Sequence, residues 1–347
     1  MPHRILITEG LAESGLALLR QEAEVIQSAG LNGLGSVDAL VVRGRTAVSS
    51  EVLAAASPRL RVVGRAGAGL DNIDLQAARQ HGVIVVNAPG AGTAAVAELT
   101  LALMLALARQ IPQAHTSLQR GEWRKAELSG VQLQGKTLGV IGVGRVGSSV
   151  AGMATALGMG VLGHDPNLAE ATLRERGVEP VDLEALLARS DFISLHVPLN
   201  EQTRGMVDAA RLARTKPGAF LINTARGGVV DESALLQALE SGRLAGAALD
   251  VFGREPPGRD PLLLHPAVVA TPHIGAQTAE AQQQAALDIA SEVLAALRGD
   301  LRRPPFAGPG RHVGNLIPVE HLQDAVQIGS HAQLLAKRLV PRSHASL

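Results

Sequence analysis

Thr137-Leu138-Gly139-Val140-Ile141-Gly142-Val143-Gly144-Arg145-Val146-Gly147 is the stretch that decides the fold. Thr137–Ile141 is short, apolar and closed by glycine, the pattern of a buried strand. Arg145–Leu157 then carries a helical pattern. Strand, glycine turn and helix in this order open a dinucleotide-binding βαβ unit. Gly142 would make the tight turn, Gly144 would let the backbone approach a pyrophosphate, and Gly147 would let the helix sit against the strand. Backbone N–H groups at the helix start would then face the phosphates. The spacing alone is weak in a chain with 38 glycines, and the flanking strand and helix give it weight.

Working outward, the next strand, Gly160–His164, runs into Asp165, 18 residues beyond Gly147. That is near the separation of about 20 at which a carboxylate meets an adenosine ribose. Such a carboxylate would repel a 2′-phosphate, so the expected cofactor is NAD. Phe192–Val197, Ala219–Asn223, Ala245–Asp250 and Val268–Thr271 complete a series of strands, with helices at Leu183–Ala188 and Ser233–Ser241. Upstream, Arg4–Thr8, Ala39–Val42, Leu60–Val63 and Val83–Val86 read as strands, with helices at Leu11–Arg20 and Ser50–Ala56. Alternating β and α implies parallel sheets. The expected fold class is α/β, with two Rossmann-like doubly wound parallel-sheet domains. Between the two series, Thr93–Arg120 reads as one long helix, N-capped by Thr93 and apolar nearly all round, so it should pack on several sides. Gln277–Leu297 reads as a further long helix, and Gln323–Leu347 as weakly helical.

Composition narrows the function classes. A chain of 347 residues fits two domains. Lys+Arg and Asp+Glu balance at 32 each, which gives no footprint for nucleic acid or an anionic membrane. The absence of cysteine excludes disulfides, thiolate catalysis and Cys-bound metal. No histidine pair or acidic cluster has metal-site spacing, so no metal is expected. The apolar run Ala94–Ala108 is interrupted by Glu98 and falls short of the roughly 20 residues a membrane span needs. No secretory signal pattern opens the chain. A cytoplasmic protein is expected.

Candidate chemistry lies on the carboxyl edge of the second sheet, where such sheets bind ligands. Arg226 follows Ala219–Asn223, Glu255 follows Ala245–Asp250, and His273 follows Val268–Thr271. An imidazole exchanges protons near neutral pH, so His273 is the candidate acid/base. Glu255 beside it would fix its tautomer. Arg226 could grip a carboxylate bidentately and polarise the adjacent carbonyl. His196 also ends a strand and competes for the role of base; it reads as packing or cofactor-adjacent.

These stretches resemble the D-isomer-specific 2-hydroxyacid dehydrogenases. The resemblance rests on Gly64-Arg65-Ala66-Gly67-Ala68-Gly69-Leu70-Asp71-Asn72-Ile73-Asp74, Ala97-Glu98-Leu99-Thr100, Asn223-Thr224-Ala225-Arg226-Gly227-Gly228, Ala248-Leu249-Asp250-Val251-Phe252 with Glu255-Pro256, and Thr271-Pro272-His273-Ile274-Gly275-Ala276. It covers roughly residues 4–315. It implies hydride transfer at the 2-position of a small D-hydroxy/keto acid, with Arg226, Glu255 and His273 as the catalytic trio. It places cofactor contacts at Arg145, Val146, Asp165, Thr224, Ala225, Arg226, Asp250, His273, Gly275 and Ala276. It places substrate contacts at Arg43, Gly67, Ala68 and Arg226, with Arg65 and the pair Arg124-Lys125 as further cations for a phosphorylated acid. It implies a cofactor domain (91–275) inserted into a substrate domain (1–90 and 276–315), and a homodimer through the helix near Thr93–Arg120. Residues 316–347 are expected to be the truncated start of a regulatory region, without feedback by serine.

Overall fold

The computed structural model describes residues 2–300. The expectations for Gln323–Leu347 and for residues 301–347 generally lie outside them.

The first sheet is built from β1 (His3–Ile7), α1 (Glu13–Arg20), β2 (Ala23–Gln27), β3 (Ala39–Val42), α2 (Ser50–Ala56), β4 (Val62–Arg65), α3 (Leu75–Gln80) and β5 (Ile84–Asn87). All pairings are parallel, in the order β2-β1-β3-β4-β5. Every residue of β3 is buried, and alternate residues serve opposite faces. Ala39 and Val41 join α1 in one core; Leu40 and Val42 join α2 and α3 in the other.

Two helices follow, α4 (Thr93–Ala108) and α5 (Ile111–Gln119). They replace the single long helix expected from the sequence. Gln110 adopts a left-handed φ of 49°, and the two helices bend 65° apart. Pro112 sits in the first turn of α5, where a missing N–H costs nothing. Thr93 is the first helical residue rather than the cap; Gly92 precedes it without a side-chain bond. Among the described residues no single helix is long and apolar enough to cross a membrane.

The second sheet contains β6 (Thr137–Ile141), α6 (Arg145–Ala156), β7 (Gly160–His164), α7 (Glu170–Glu175), β8 (Glu179–Pro180), α8 (Leu183–Arg189), β9 (Phe192–Leu195), α9 (Ala209–Leu212), β10 (Ala219–Asn223), α10 (Glu232–Glu240), β11 (Leu244–Leu249), α11 (Pro261–Leu264) and β12 (Val268–Ala270). Its order is β12-β11-β10-β9-β6-β7-β8, again all parallel. Helices α4 and α6 cover one face around Leu138, Val140 and Ile222; α8 and α10 cover the other around Leu195, Leu221 and Leu249. Finally α12 (Ala279–Arg298) returns to the first sheet, where Ile289, Val293 and Leu297 complete the core shared with α1. The second unit is therefore inserted into the first.

In each sheet the strand order reverses once. The reversal lies between β1 and β3 in the first sheet and between β6 and β9 in the second. Loops diverge at such points and leave a crevice at the carboxyl edge.

Candidate active site

The glycine turn sits at the β6/β9 reversal. Gly142 has φ +87°, and a Cβ there would lie 2.6 Å from the carbonyl oxygen of His196. A Cβ on Gly147 would strike the Gly142 carbonyl oxygen, so only glycine lets α6 start this close to β6. Gly144 opens into free space, and α6 begins at Arg145. That leaves the helix start open to a phosphate. Asp165 accepts from the Val143 N–H at 3.0 Å and from the Asn167 N–H at 3.0 Å. Its carboxylate thus ties the end of β7 to the glycine turn. Arg176 donates to the Val143 carbonyl from the other side. A cleft lined by His164, Asp165, Leu168, Pro180, Val181 and Asp182 adjoins the turn. Its mixed polar and apolar wall fits the adenosine end of a dinucleotide.

Arg226, Glu255 and His273, the three candidates, lie in the loops after β10, β11 and β12. His273 and Glu255 meet at 2.7 Å through the imidazole Nδ1. The other Glu255 oxygen accepts the Phe252 N–H at 3.1 Å. With Nδ1 on the carboxylate, Nε2 is the nitrogen left for a reacting oxygen. His273 has φ +53°, a left-handed conformation uncommon outside glycine. Buried Asp250 holds it there: its carboxylate accepts from the Thr271 hydroxyl at 2.6 Å and from the Ile274 and Gly275 N–H groups, each at 2.8 Å.

Arg226 is placed by a closed loop. The buried Asn223 side chain accepts the Ala225 N–H at 3.1 Å and donates to the Arg226 carbonyl at 2.9 Å. The guanidinium donates through Nη1 to the Ala225 carbonyl at 2.6 Å and through Nε to Asp71 at 3.0 Å. Asp71 belongs to the loop after β4, so Arg226 reaches across to the first sheet. A Cβ on Gly69 would overlap Nη2 of Arg226.

Arg65, at the end of β4, folds back over Gly67. Burial and the charges of Arg226 and Arg43 push its guanidinium below the usual arginine range, and its Nε is enclosed without a hydrogen-bond partner. Desolvated cations that repel one another call for an anion between them. Asn87 supports the same loop by donating to the Ala68 carbonyl at 2.6 Å.

Other candidates are placed differently. Thr224 directs its hydroxyl to Thr100 of α4 at 2.8 Å, and the Ala276 carbonyl accepts from Gln282 at 2.7 Å. Arg124 has its own partner, Glu127, at 2.6 Å on the exposed surface after α5. His196 hydrogen-bonds Ser194 at 2.8 Å, and burial pushes its ring down to about 4. It is a neutral packing group beside the glycine turn. Among the described residues no group of three His, Asp or Glu could hold a metal. Sequence reading gave no role to Asp71, Asn223 and Thr100; a polar residue closing an otherwise apolar strand was the available signal for Asn223.

A glycine turn at a sheet reversal, with a His–Glu pair and an arginine on the same edge, defines the class of dinucleotide-binding α/β proteins. Residues 101–275 match the model of the D-isomer specific 2-hydroxyacid dehydrogenase, NAD binding domain. The chain is 47% identical over 305 residues to a D-3-phosphoglycerate dehydrogenase of Methanocaldococcus jannaschii, covering 86% of this chain and 58% of that protein. The chain thus spans a little over half the length of the curated relatives it matches. Among solved structures, a protein of Thermus thermophilus aligns with a TM-score of 0.79 at 36% identity, covering 88% of this chain and 100% of that one. A D-lactate dehydrogenase from Aquifex aeolicus, complexed with NAD and lactic acid, aligns with a TM-score of 0.77 at 30% identity, over 86% of this chain and 96% of that one. This chain belongs to the D-isomer specific 2-hydroxyacid dehydrogenases. Its second sheet is that family's NAD-binding domain.

Proposed function

We propose that the protein catalyses NAD-dependent oxidation of D-3-phosphoglycerate to 3-phosphohydroxypyruvate, the first step of phosphorylated serine synthesis. The observation that carries the reading is the His273–Glu255 pair on the same sheet edge as Arg226, with Arg65 desolvated beside that arginine. Arg226, fixed at Nε and Nη1, presents Nη2 to the substrate carboxylate. His273 Nε2 takes the proton of the 2-hydroxyl during oxidation and returns it during reduction. Glu255 holds the ring and balances its charge. NAD, when bound at the glycine turn, would supply the hydride acceptor. Arg65 and Arg43 supply cations beyond what a carboxylate needs, and a phosphate uses them. The relatives named D-3-phosphoglycerate dehydrogenase support the same substrate.

The test follows NADH oxidation with 3-phosphohydroxypyruvate, hydroxypyruvate and glyoxylate in parallel. At least tenfold higher kcat/KM for the phosphorylated acid is expected. Equal or faster turnover of the other acids would remove the phosphate and leave a hydroxypyruvate/glyoxylate-type enzyme. No turnover with any of them, alongside NADH binding, would point to an NAD-sensing binding protein.

We also infer a homodimer through α4 and α5, in a cytoplasmic setting. Leu105, Ile111, Leu118 and Trp123 are 39%, 52%, 59% and 81% exposed along this region, an apolar surface that a second copy would cover. A single-chain mass by light scattering at assay concentration would remove the dimer.

A further inference from the structure

The crevice at the β1/β3 reversal of the first sheet is filled by the chain itself. Glu9 follows β1, and the loop Arg43–Thr46 follows β3. One Glu9 oxygen accepts the N–H groups of Arg43 at 3.1 Å and Thr46 at 2.9 Å. The other accepts from the Arg45 N–H at 3.3 Å and pairs with the Arg45 guanidinium at 3.5 Å. The Glu9 side chain is 7% exposed. Burial alone would raise its carboxyl, but the donors of Thr46, Arg43 and Arg45 more than offset it and hold the group below the usual carboxylate range.

A loop whose successive N–H groups converge is a nest for an anion. Here that anion is internal, and the carbonyl side of the same loop is also taken. Asn72 donates through Nδ2 to the Arg43 carbonyl at 2.8 Å and to the Thr46 carbonyl at 2.6 Å. The hydroxyls of Thr8 and Thr46 meet at 2.8 Å. The N–H groups of the loop are thus gathered by Glu9 and its carbonyls by Asn72. The charge of Glu9 is engaged by four donors, one of them the Arg45 guanidinium.

We propose that Glu9 and Asn72 are positioning residues for substrate, clamping the Arg43–Thr46 loop so that Arg43 meets the anionic acid at a fixed place. This rests on the reading above that Arg43 contacts substrate. Neither residue touches the reacting atoms; both act through the loop. Loss of the clamp lets the cation wander, and misplacement by about an ångström costs up to about a hundredfold.

The test is a double-mutant cycle on the full chain, run with whichever of the three keto acids the wild type reduces fastest. A wrong substrate is then seen in the wild-type panel before any variant is interpreted. Glu9→Ala should raise KM for the keto acid by about ten- to hundredfold, with kcat within about twofold and NADH affinity unchanged. Combined with Arg43→Ala it should be no worse than Arg43→Ala alone. Glu9→Gln keeps an acceptor oxygen for the Arg43 and Thr46 N–H groups and should restore most of the affinity. If Glu9→Ala fails to fold, Asn72→Ala takes its place in the cycle, because it loosens the same loop from the carbonyl side. Asn72→Ala should raise KM in the same way but less. Losses that multiply in the double variant would overturn the proposal, as would a fall in kcat at constant KM or a parallel loss of NADH affinity.

Discussion

The two sheets are both parallel with a single reversal of strand order, but they differ in strand number and order and in what fills the reversal point. In the first, the loop N–H groups of Arg43, Arg45 and Thr46 close on an internal carboxylate, Glu9. In the second, Gly144 opens to free space and the start of α6 is left without a side-chain cap. One crevice is satisfied from within and becomes rigid; the other waits for an external anion. A reversal point therefore becomes a clamp where an internal carboxylate gathers the loop N–H groups, and a cofactor site where the start of the following helix is left uncapped. The first sheet keeps a ligand role only through the cations its loops present.

The strongest way to sharpen this contrast is to remove chemistry from the second edge while keeping its cofactor crevice. His273→Ala should lower kcat by about 10²–10⁴-fold and leave NADH affinity near wild type. Steady-state rates with a fluorescence titration of NADH check both halves. Unchanged turnover would move proton transfer elsewhere, with His196 the next histidine on that edge.

A smaller effect is expected from closing the open crevice. Gly147→Ala places a methyl group on the Gly142 carbonyl oxygen, which is backbone and cannot swing away. Stability should fall by about 1–3 kcal/mol, and NADH affinity should fall with it. Gly152→Ala on the same helix meets nothing within 4 Å and should instead stabilise by about 0.5–1 kcal/mol. Thermal melts with and without NADH compare the pair; equal behaviour would mean that α6 does not press on β6.

Smaller again is Gly69→Ala in the first sheet's loops. The added methyl overlaps Nη2 of Arg226 and crowds the Asp71 carboxylate, so the Arg226–Asp71 pair must shift while the backbone, which the methyl does not meet, stays in place. Turnover should drop by about tenfold while the melting temperature stays within about 1 °C. A melting shift without a rate change would place the contact in the packing rather than the site.

The contrast between the two crevices was only half legible in the sequence. The open one is local: strand, Gly142, Gly144, Gly147 and helix are contiguous, and buried strands such as Ala219–Asn223 read directly from their apolar runs. The placement of Arg226, Glu255 and His273 on one edge was legible because each lies in the loop after such a strand. The filled crevice is made by residues far apart in the chain, Glu9, Arg43 and Asn72, which follow β1, β3 and β4, and only the adjacency of those three strands in the sheet brings them together. The same holds for Asp71 with Arg226. Strand β2 escaped notice because it is an edge strand, with Glu24 and Gln27 exposed among half-buried neighbours, so it lacks a continuous apolar run. Strand β4 lies two residues later than its apolar run implies, and ends on Arg65. The bend at Gln110 was hidden because helix-compatible residues continue on both sides of it, although Pro112 marked the second start.

A change confined to acidic pH tests whether the second crevice is dry beneath its glycine turn. The His196 carbonyl oxygen packs where a Cβ on Gly142 would fall, and its ring is held neutral by burial, at about 4 against an ordinary 6.5. A depressed folded value means that stability is fully present above pH 6.5 and is lost as pH falls toward 4, because the unfolded chain binds the proton first. His196→Asn lacks this term. The melting-temperature gap between wild type and variant should therefore be widest above pH 6.5 and narrow steadily on acidification. Carboxylates titrating in the same window are common to both proteins and cancel in the difference. A gap that stays constant from pH 7.5 to 4 would show that the ring titrates in contact with water, and the glycine turn would then rest on a wet support rather than a packed one.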